Sequence, residues 1–470
     1  MNALLVDVAV IGAGTAGLAA YRAAIAGGKR AVLIEGGPFG TTCARVGCMP
    51  SKLLIAAAEA AHAPAKWNEF GLRLDGAVRI DGSAVMARVR RERDRFVGFV
   101  LAGVDAMPAE DRLRGHARFI DDRTLQIGDQ TAISFGSAVI ATGSSPSIAP
   151  FLRGLGDRLV VNDDVFGWDD LPRSVAVFGP GVIGLELGQA LHRLGVRVLL
   201  FGRHGHVGPF SDPVVRAYAT RAFASELTLY PDADVHAIER DGDAVVMRYR
   251  GPDAAERTEV VDYVIAATGR APNMRGLGLE STTLALDASG VPLYNRHTMQ
   301  CGAHPIFIAG DASDDRPLLH EAADEGRIAG ENAARFPDLR SGLRRTPLGI
   351  VFTDPQLASV GARHADLAPG SFVTGAVSFE NQGRSRMMLR NLGLLHVYAD
   401  IASGRIAGAE MIGPDVEHLA HLLAWAVQAE MTVARALEMP FYHPVIEEGL
   451  RTALRDAKEK LHAAGLRAAA

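Results

Sequence analysis

Cys43 and Cys48 stand in the stretch CARVGCMPSK, separated by four residues, in a chain whose only other cysteine is Cys301. Such a pair can be a structural staple, half of a soft-metal site or a redox-active dithiol. A zinc site asks for further cysteine or histidine ligands at short spacing, and none joins the pair, so no metal is expected. A lasting structural disulfide belongs to an oxidising compartment. The apolar N-terminus LLVDVAVIGAG has no basic leader region and is interrupted by Asp7. It reads as a buried first strand rather than an export signal, so a cytoplasmic setting is expected. Residues five apart on a regular helix lie too far apart for a disulfide. The stretch must therefore bend, with Gly47 supplying the freedom. Pro50 then fits the first turn of a helix continued by SKLLIAAAEAA. A strained bridge at a helix start, near the basic Lys52, is reducible and favours a low-pKa thiolate, which makes redox chemistry the reading of choice. Cys301 is read as a small apolar residue.

The elements that would serve this dithiol occur twice. Residues 6–35 and 175–204 each run strand, G-x-G-x-x-G, helix, β-branched strand. Gly12 and Gly179 permit the tight turn, and Gly14 and Gly181 let a pyrophosphate approach the backbone. Gly17 and Gly184 allow close helix packing. Each helix N-terminus offers amide donors and positive dipole to phosphate. Eighteen residues beyond Gly17 stands Glu35, placed to hold ribose hydroxyls. The second unit has Gly202-Arg203-His204 at that offset, with no acid, and Arg203 suits a 2′-phosphate. Each unit closes with an apolar strand running into Ala-Thr-Gly, at AVIATGSSP (138–146) and YVIAATGRAPN (263–273). A long helix is expected over 84–104, a strand at IFIAGD (306–311), and alternating strands and helices from about 346 onward. The Ala-rich C-terminal tail is expected to fray.

The chain has 470 residues and a net charge of −5, too long for one core and too acidic for nucleic acid or an anionic membrane as main partner. No eighteen apolar residues run together, so no membrane span is expected. Two dinucleotide sites and one dithiol suggest a relay in which the cysteines carry two electrons between a flavin and a substrate, with a nicotinamide as the other dinucleotide. Thiol–disulfide exchange also needs a base. FYHPVIEEGL (441–450) offers His443, with Glu447 and Glu448 close by to orient it.

On these residues the sequence resembles the flavin-dependent pyridine nucleotide–disulfide oxidoreductases over nearly its whole length. The resemblance implies an α/β fold with two Rossmann-like dinucleotide-binding domains, for FAD and NAD(P), and a C-terminal α+β dimerisation domain. The expected divisions are 1–150 and 274–345 for the FAD-binding and central parts, 151–273 for NAD(P), and 346–470 for the interface. It implies that Cys43 attacks the substrate disulfide, that Cys48 contacts the flavin, and that Lys52 lies near flavin N5 and pairs with Glu186. Glu35, Ala117 and Asp311 would hold the adenosine, adenine and ribityl groups of FAD. Thr42, Thr142, Gly143 and Gly269 join the cofactor-binding residues. The His-Pro-x-x-x-Glu offset selects Glu448 as the partner of His443, and the dyad would reach the disulfide of the opposite subunit in a homodimer.

Within the family, LLHEAADEGRIAGENA (318–333) looks most like dihydrolipoamide dehydrogenases, and the C-terminal cysteine pair of mercuric reductases has no counterpart here. The expected substrate is a lipoyl group on a separate protein, since no lipoyl-bearing domain precedes Val6. The alternative is an NADPH-dependent reductase of another small or protein disulfide. A non-enzymatic flavoprotein partner is the reading least supported. Three departures from the family pattern stand out. Thr41 replaces a glycine in GTTC, Arg45 stands where the family usually has Asn, and Gly202 stands where lipoamide dehydrogenases show Glu. The glycine–arginine–histidine loop resembles the NADP type, whereas Gly184 is the NAD-like choice, and NADP is slightly favoured.

Overall fold

Short runs of Val, Ile, Leu and Ala become parallel strands buried on both faces, which is why they read as continuous apolar segments rather than alternating ones. The computed structural model describes residues 2–129 and 131–465, and the tail expected to fray (466–470) lies outside the described residues. The chain divides into two units, Met1–Pro50 with Val89–Ser147 and Gly269–Arg344, and Ser51–Arg88 with Ile148–Thr268 and Arg345–Ala470. The long helix is found at Gly82–Asp105, close to its expected bounds.

The first unit is built on a seven-stranded sheet. Strand Asn2–Ile11 pairs in parallel with Ala31–Glu35 on one side and Thr131–Ile140 on the other. Ile306–Ile308 adds a further parallel strand beside Thr131–Ile140. Val8, Val10, Leu33, Val139 and Phe307 are wholly or almost wholly buried between this sheet and its helices. Each such residue contributes ~1.5–3 kcal/mol relative to exposure. The expected strand at 306–311 stops at Ile308, because Gly310 turns the chain at φ +72° into a short 3-10 segment, Gly310–Ser313, that carries Asp311.

Helix Thr15–Ala26 packs on helix Leu319–Arg335 through backbone rather than side chains. A Cβ on Gly326 would lie 2.1 Å from the Ala16 carbonyl oxygen, and one on Gly330 would lie 2.3 Å from that of Ala20. Within the same helix Glu325, fully buried, accepts hydrogen bonds from Gly310 N (2.8 Å) and Ser313 Oγ (3.1 Å).

The second unit repeats the parallel theme over Ser174–Phe178, Arg197–Phe201, Thr228–Tyr230, Tyr263–Ala266 and Leu159–Val161. An antiparallel three-stranded sheet (234–261) follows the same segment. The C-terminal part is a five-stranded antiparallel sheet with helices Val416–Gln428 and Glu447–Ala463 sharing its core, where Val397, Met411, Leu419, Leu423, Leu450 and Leu454 meet. This is the mixed α/β architecture expected from the sequence.

A buried polar network also belongs to the second unit. Asp212 caps helix Pro213–Ala224 by accepting from Val214 N and Val215 N. Its other oxygen pairs with His396 Nδ1 at 2.7 Å and accepts from Tyr398 OH at 3.0 Å. Glu410, fully buried, accepts from Ser211 N, Asp212 N and His364 N. Burial alone would raise the Asp212 pKa, but the bond to His396 and the two backbone amides win and hold it well below the usual carboxylate range.

Candidate functional site

The first glycine loop is shaped by close approach. Gly12 takes φ +105°, and a Cβ there would lie 2.3 Å from the Ala141 carbonyl oxygen, while one on Gly17 would lie 1.8 Å from that of Gly12. Gly14, at the N-cap of helix Thr15–Ala26, has nothing within 4 Å of where its Cβ would point. That combination, packed on one side and open on the other, exposes helix N-terminal amides to a phosphate. Glu35 ends its strand with one oxygen accepting from Ala13 N (2.7 Å) and the other from Gly37 N (2.6 Å). Ala117 is buried at the head of strand Ala117–Asp121, and the His116 ring lies over Gly36, whose missing Cβ would meet Nδ1 at 2.4 Å.

The Ala-Thr-Gly closures prove to be paired. Ser144–Pro146 and Arg270–Pro272 form a two-stranded antiparallel ribbon in the first unit. Arg270 donates to Ser144 Oγ (2.8 Å) and Ser144 O (2.7 Å), and Ser144 Oγ–H donates to Asp311 Oδ2 (2.6 Å). Asn273 donates from its side chain to Thr142 O and from its backbone to Gly143 O. The Thr142 hydroxyl is buried and has no hydrogen-bond partner among the described residues. Gly143 and Gly269 adopt φ of +68° and +111° with open space at Cβ. Ser144, Arg270 and Asn273 escaped the sequence reading, although they closely follow the repeated Ala-Thr-Gly, and His116 escaped it beside Ala117. An orphaned hydroxyl, an open glycine cradle and a carboxylate at the strand end are features an FAD asks for, and these residues fit one.

The chain bends between the two cysteines. Thr42–Val46 and Cys48–His62 are separate helices broken at Gly47, where a Cβ would lie 3.2 Å from Cys43 Cα. Gly47 therefore lets the second helix start directly against the first. Cys43 is half-buried, and Cys48 and Thr42 are exposed. Thr41 caps the short helix, accepting from Ala44 N at 3.3 Å, with φ +58° and ψ +149°. The half-buried Arg45 lays its stem against Gly40, whose Cβ would meet Arg45 Cδ at 3.1 Å. Cys301 is buried in the first unit's core, and burial pushes its thiol pKa up.

The second unit holds an almost identical cradle. Gly179 also takes φ +105°, with a Cβ 2.3 Å from the Ala267 carbonyl oxygen. A Cβ on Gly184 would lie 2.0 Å from Gly179 O, and Gly181 again opens to free space. At the strand end a Cβ on Gly202 would lie 2.6 Å from Pro231 O and 2.8 Å from Pro180 Cγ, so the acid position is sterically closed. Arg203, His204 and His206 are exposed beyond it, with His206 Nδ1 3.5 Å from Arg216 Nη1. His204, at φ +59°, donates its amide to Asp232 Oδ1 at 2.8 Å.

Two further pairs lie in the second unit. Lys52 Nζ is 2.7 and 2.9 Å from the two carboxylate oxygens of Glu186, which is 5% exposed. His443 Nδ1 stands 3.0 Å from both oxygens of Glu448. Val445 N donates to the same carboxylate. The hydrogen bond with His443 lowers the Glu448 pKa, aided by that backbone amide. His443 and Tyr442 are strongly exposed. Among the described residues no helix is long and apolar enough to cross a membrane.

Comparison with known proteins gives this arrangement its family. The family model described as pyridine nucleotide-disulphide oxidoreductase matches residues 6–326, and that of its dimerisation domain matches 348–454. The mercuric reductase of Acidithiobacillus ferrooxidans is 31% identical over 473 residues, covering 97% of this chain and 84% of the relative. The dihydrolipoyl dehydrogenase of Bacillus subtilis is 30% identical over 459 residues, covering 95% of this chain and 97% of the relative. Among solved structures, LpdA from Mycobacterium tuberculosis aligns with a TM-score of 0.80 at 25% identity, covering 96% of this chain and 99% of that one. The HOCl-induced flavoprotein disulfide reductase RclA from Escherichia coli, solved as a Cu(II) complex, shares the fold with a TM-score of 0.81 at 20% identity, covering 98% of this chain and all of that one. Two matching glycine loops, a cysteine pair at a helix start and a matching dimerisation domain thus have one explanation: the chain belongs to the pyridine nucleotide-disulphide oxidoreductase family.

Proposed function

We propose that the protein is a dihydrolipoyl dehydrogenase-like enzyme, interconverting a dithiol plus NAD(P)⁺ with a disulfide plus NAD(P)H and a proton. The observation that carries this reading is the His443–Glu448 dyad. A dithiol substrate must lose protons as its sulfurs pair, and a disulfide must gain them as it opens. With Nδ1 occupied by Glu448, Nε2 is the nitrogen left to take or return the substrate's thiol proton, and the carboxylate fixes that tautomer.

FAD, when bound, passes an electron pair between the nicotinamide and the cysteine pair. Gly12, Gly14, Gly17, Glu35, Thr42, Ala117, Thr142, Gly143 and Asp311 would hold it. Gly179, Gly181, Gly184, Arg203 and Gly269 are assigned to the nicotinamide dinucleotide. Cys43 exchanges with the substrate sulfur, and Cys48 is the cysteine on the flavin side. Lys52, one turn beyond Cys48 on the same helix, stands by the flavin, with Glu186 as its counter-ion. The active form is a homodimer through residues 346–470, each dyad serving the cysteines of the other copy, which accords with the exposure of His443 and Tyr442. The remaining divisions are 1–150 and 274–345 for FAD and 151–273 for NAD(P).

NADP is the preferred nucleotide. The contact of Gly202 with Pro231 and Pro180 bars a ribose-binding acid, and Arg203, His204 and His206 supply positive or hydrogen-bonding groups there. The test is lipoamide turnover by the purified holoenzyme with NADH and NADPH in parallel, and with glutathione disulfide and Hg(II) as competing acceptors. Turnover with lipoamide at least tenfold above both acceptors supports the assignment. Flavin reduction by NADPH with no lipoamide turnover removes it.

A further inference from the structure

Phe352 holds two parts of the Lys52–Glu186 pair at once. Its backbone N–H donates to Glu186 Oε1 at 2.9 Å, and its ring lies under the ammonium, 4.7 Å from Nζ to centroid. The partly exposed ammonium is thereby contacted by carboxylate and aromatic face, and the carboxylate by ammonium and amide. A cation above an aromatic ring gains electrostatic attraction that grows as water is excluded. The amide shares Glu186 Oε1 with the lysine, which contacts both carboxylate oxygens, and so helps to fix the carboxylate plane.

The backbone around Phe352 is itself fixed. Strand Leu348–Val351 ends one residue earlier. Two residues on, Asp354 N donates to Gln189 Oε1 (2.8 Å), and Gln189 Nε2 donates to Asp354 O (2.7 Å). Arg193 adds contacts to Asp354 O and Oδ2. Glu186, Gln189 and Arg193 lie on one face of helix Val182–Arg193, at i, i+3 and i+7. That face docks the strand end, and Phe352 is the residue of the docked segment that reaches the lysine.

We infer that Phe352 is a positioning residue for Lys52, its ring and amide together setting where the ammonium sits and how reactive it is. The role deepens the oxidoreductase reading above, because Lys52 is the lysine assigned there to the flavin. The chain has only five lysines, Lys29, Lys52, Lys66, Lys458 and Lys460, so each can be followed separately.

The experiment is reductive methylation of the native holoenzyme, read per lysine by mass spectrometry, in wild type, Phe352→Leu, Phe352→Tyr and Gln189→Met. The clamp requires Lys52 to label about threefold to tenfold faster in Phe352→Leu, the range expected for losing one cation–π contact. Gln189→Met should show a smaller rise and Phe352→Tyr none. Equal rates in wild type and Phe352→Leu, or equal acceleration in the Leu and Tyr variants, overturn the inference. If Phe352→Leu does not fold, the wild type decides alone: Lys52 must be slower to label than Lys29 and Lys458. Flavin midpoint potentials of Lys52→Ala and Phe352→Leu separate the two levels. A Lys52→Ala potential equal to wild type removes the flavin role of Lys52 while the labelling still judges the clamp. A shift in Lys52→Ala with none in Phe352→Leu counts against the clamp.

Discussion

His443 Nδ1 is equidistant, at 3.0 Å, from the two oxygens of Glu448, so the carboxylate grips the imidazole symmetrically rather than through one oxygen. A symmetric acceptor leaves the ring plane set by the carboxylate, and the hydrogen bond from His443 depresses the Glu448 pKa. Replacing His443 by Gln is expected to slow the disulfide half-reaction by about 10²–10⁴-fold, the span for a lost acid–base group. Flavin reduction by the nicotinamide should survive. Stopped-flow absorbance separates the two half-reactions. If both slow together, His443 is structural.

The sign of the Glu448 shift fixes a pH dependence. A carboxylate with a depressed folded pKa stabilises the fold above its unfolded value and loses that contribution as pH falls through the folded value. Glu448→Gln should therefore give a stability profile that falls less steeply than wild type as pH drops through the carboxylate range, read by denaturant melts. A profile that falls with acid as in wild type would separate Glu448 from the dyad.

Thr41 sits at φ +58°, ψ +149°, a region that is nearly glycine's alone. Such strain costs of order 1–3 kcal/mol, while removing a Thr cap by Gly costs only a few tenths. Thr41→Gly is thus expected to raise stability by about 1 kcal/mol or more. Thermal unfolding of the holoenzyme measures it. A lower midpoint would mean that the hydroxyl's bond to Ala44 N outweighs the strain.

The nucleotide preference rests on two neighbouring positions with opposite expectations. Arg203→Glu should raise the KM for NADPH at least tenfold and leave that for NADH within about twofold, since one lost charge-assisted contact is worth ~1.5–3 kcal/mol. Gly202→Glu should weaken both nucleotides, because its Cβ meets Pro231 O at 2.6 Å. If Gly202→Glu instead converts the enzyme to NADH without loss of fold, the loop yields more easily than the contact implies.

Asp212 gives a stability test away from the chemistry. Its pKa is depressed, so its contribution is present above about pH 4 and fades as acid protonates it in the folded protein. Asp212→Asn should cost about 2–3 kcal/mol at neutral pH, as expected for hydrogen bonds to a charged group. It should also lose less stability than wild type between about pH 5 and pH 3. Denaturant melts of both proteins at those pH values check it.

The parts legible in the sequence were those whose physics is local. Strand, glycine loop and helix at 6–35 and 175–204 follow from periodicity and from the need for Gly12 and Gly179 at φ +105°. The bend at Gly47 followed from disulfide geometry alone. Pairings over long separations were not legible. Lys52 with Glu186, 134 residues apart, came only through family resemblance, and the Phe352 amide and ring beside them gave no local signal. The antiparallel ribbon of Ser144–Pro146 with Arg270–Pro272 was visible as two similar strings, but similarity of strings does not reveal that they hydrogen-bond. Asp212 and His396 lie 184 residues apart, and nothing near either in sequence foretold their pairing.

The backbone contact of Gly326 and Gly330 with Ala16 and Ala20 changes what one stretch of sequence means. Residues 318–333 look like a signature of substrate class, yet Gly326 and Gly330 are spent on packing their helix against the helix that follows the first glycine loop, and Glu325 on holding the turn at Gly310–Ser313. Any side chain larger than hydrogen at 326 or 330 would force the two helices apart. What reads along the chain as a mark of substrate is, in the fold, a packing specification for two helices of the first unit.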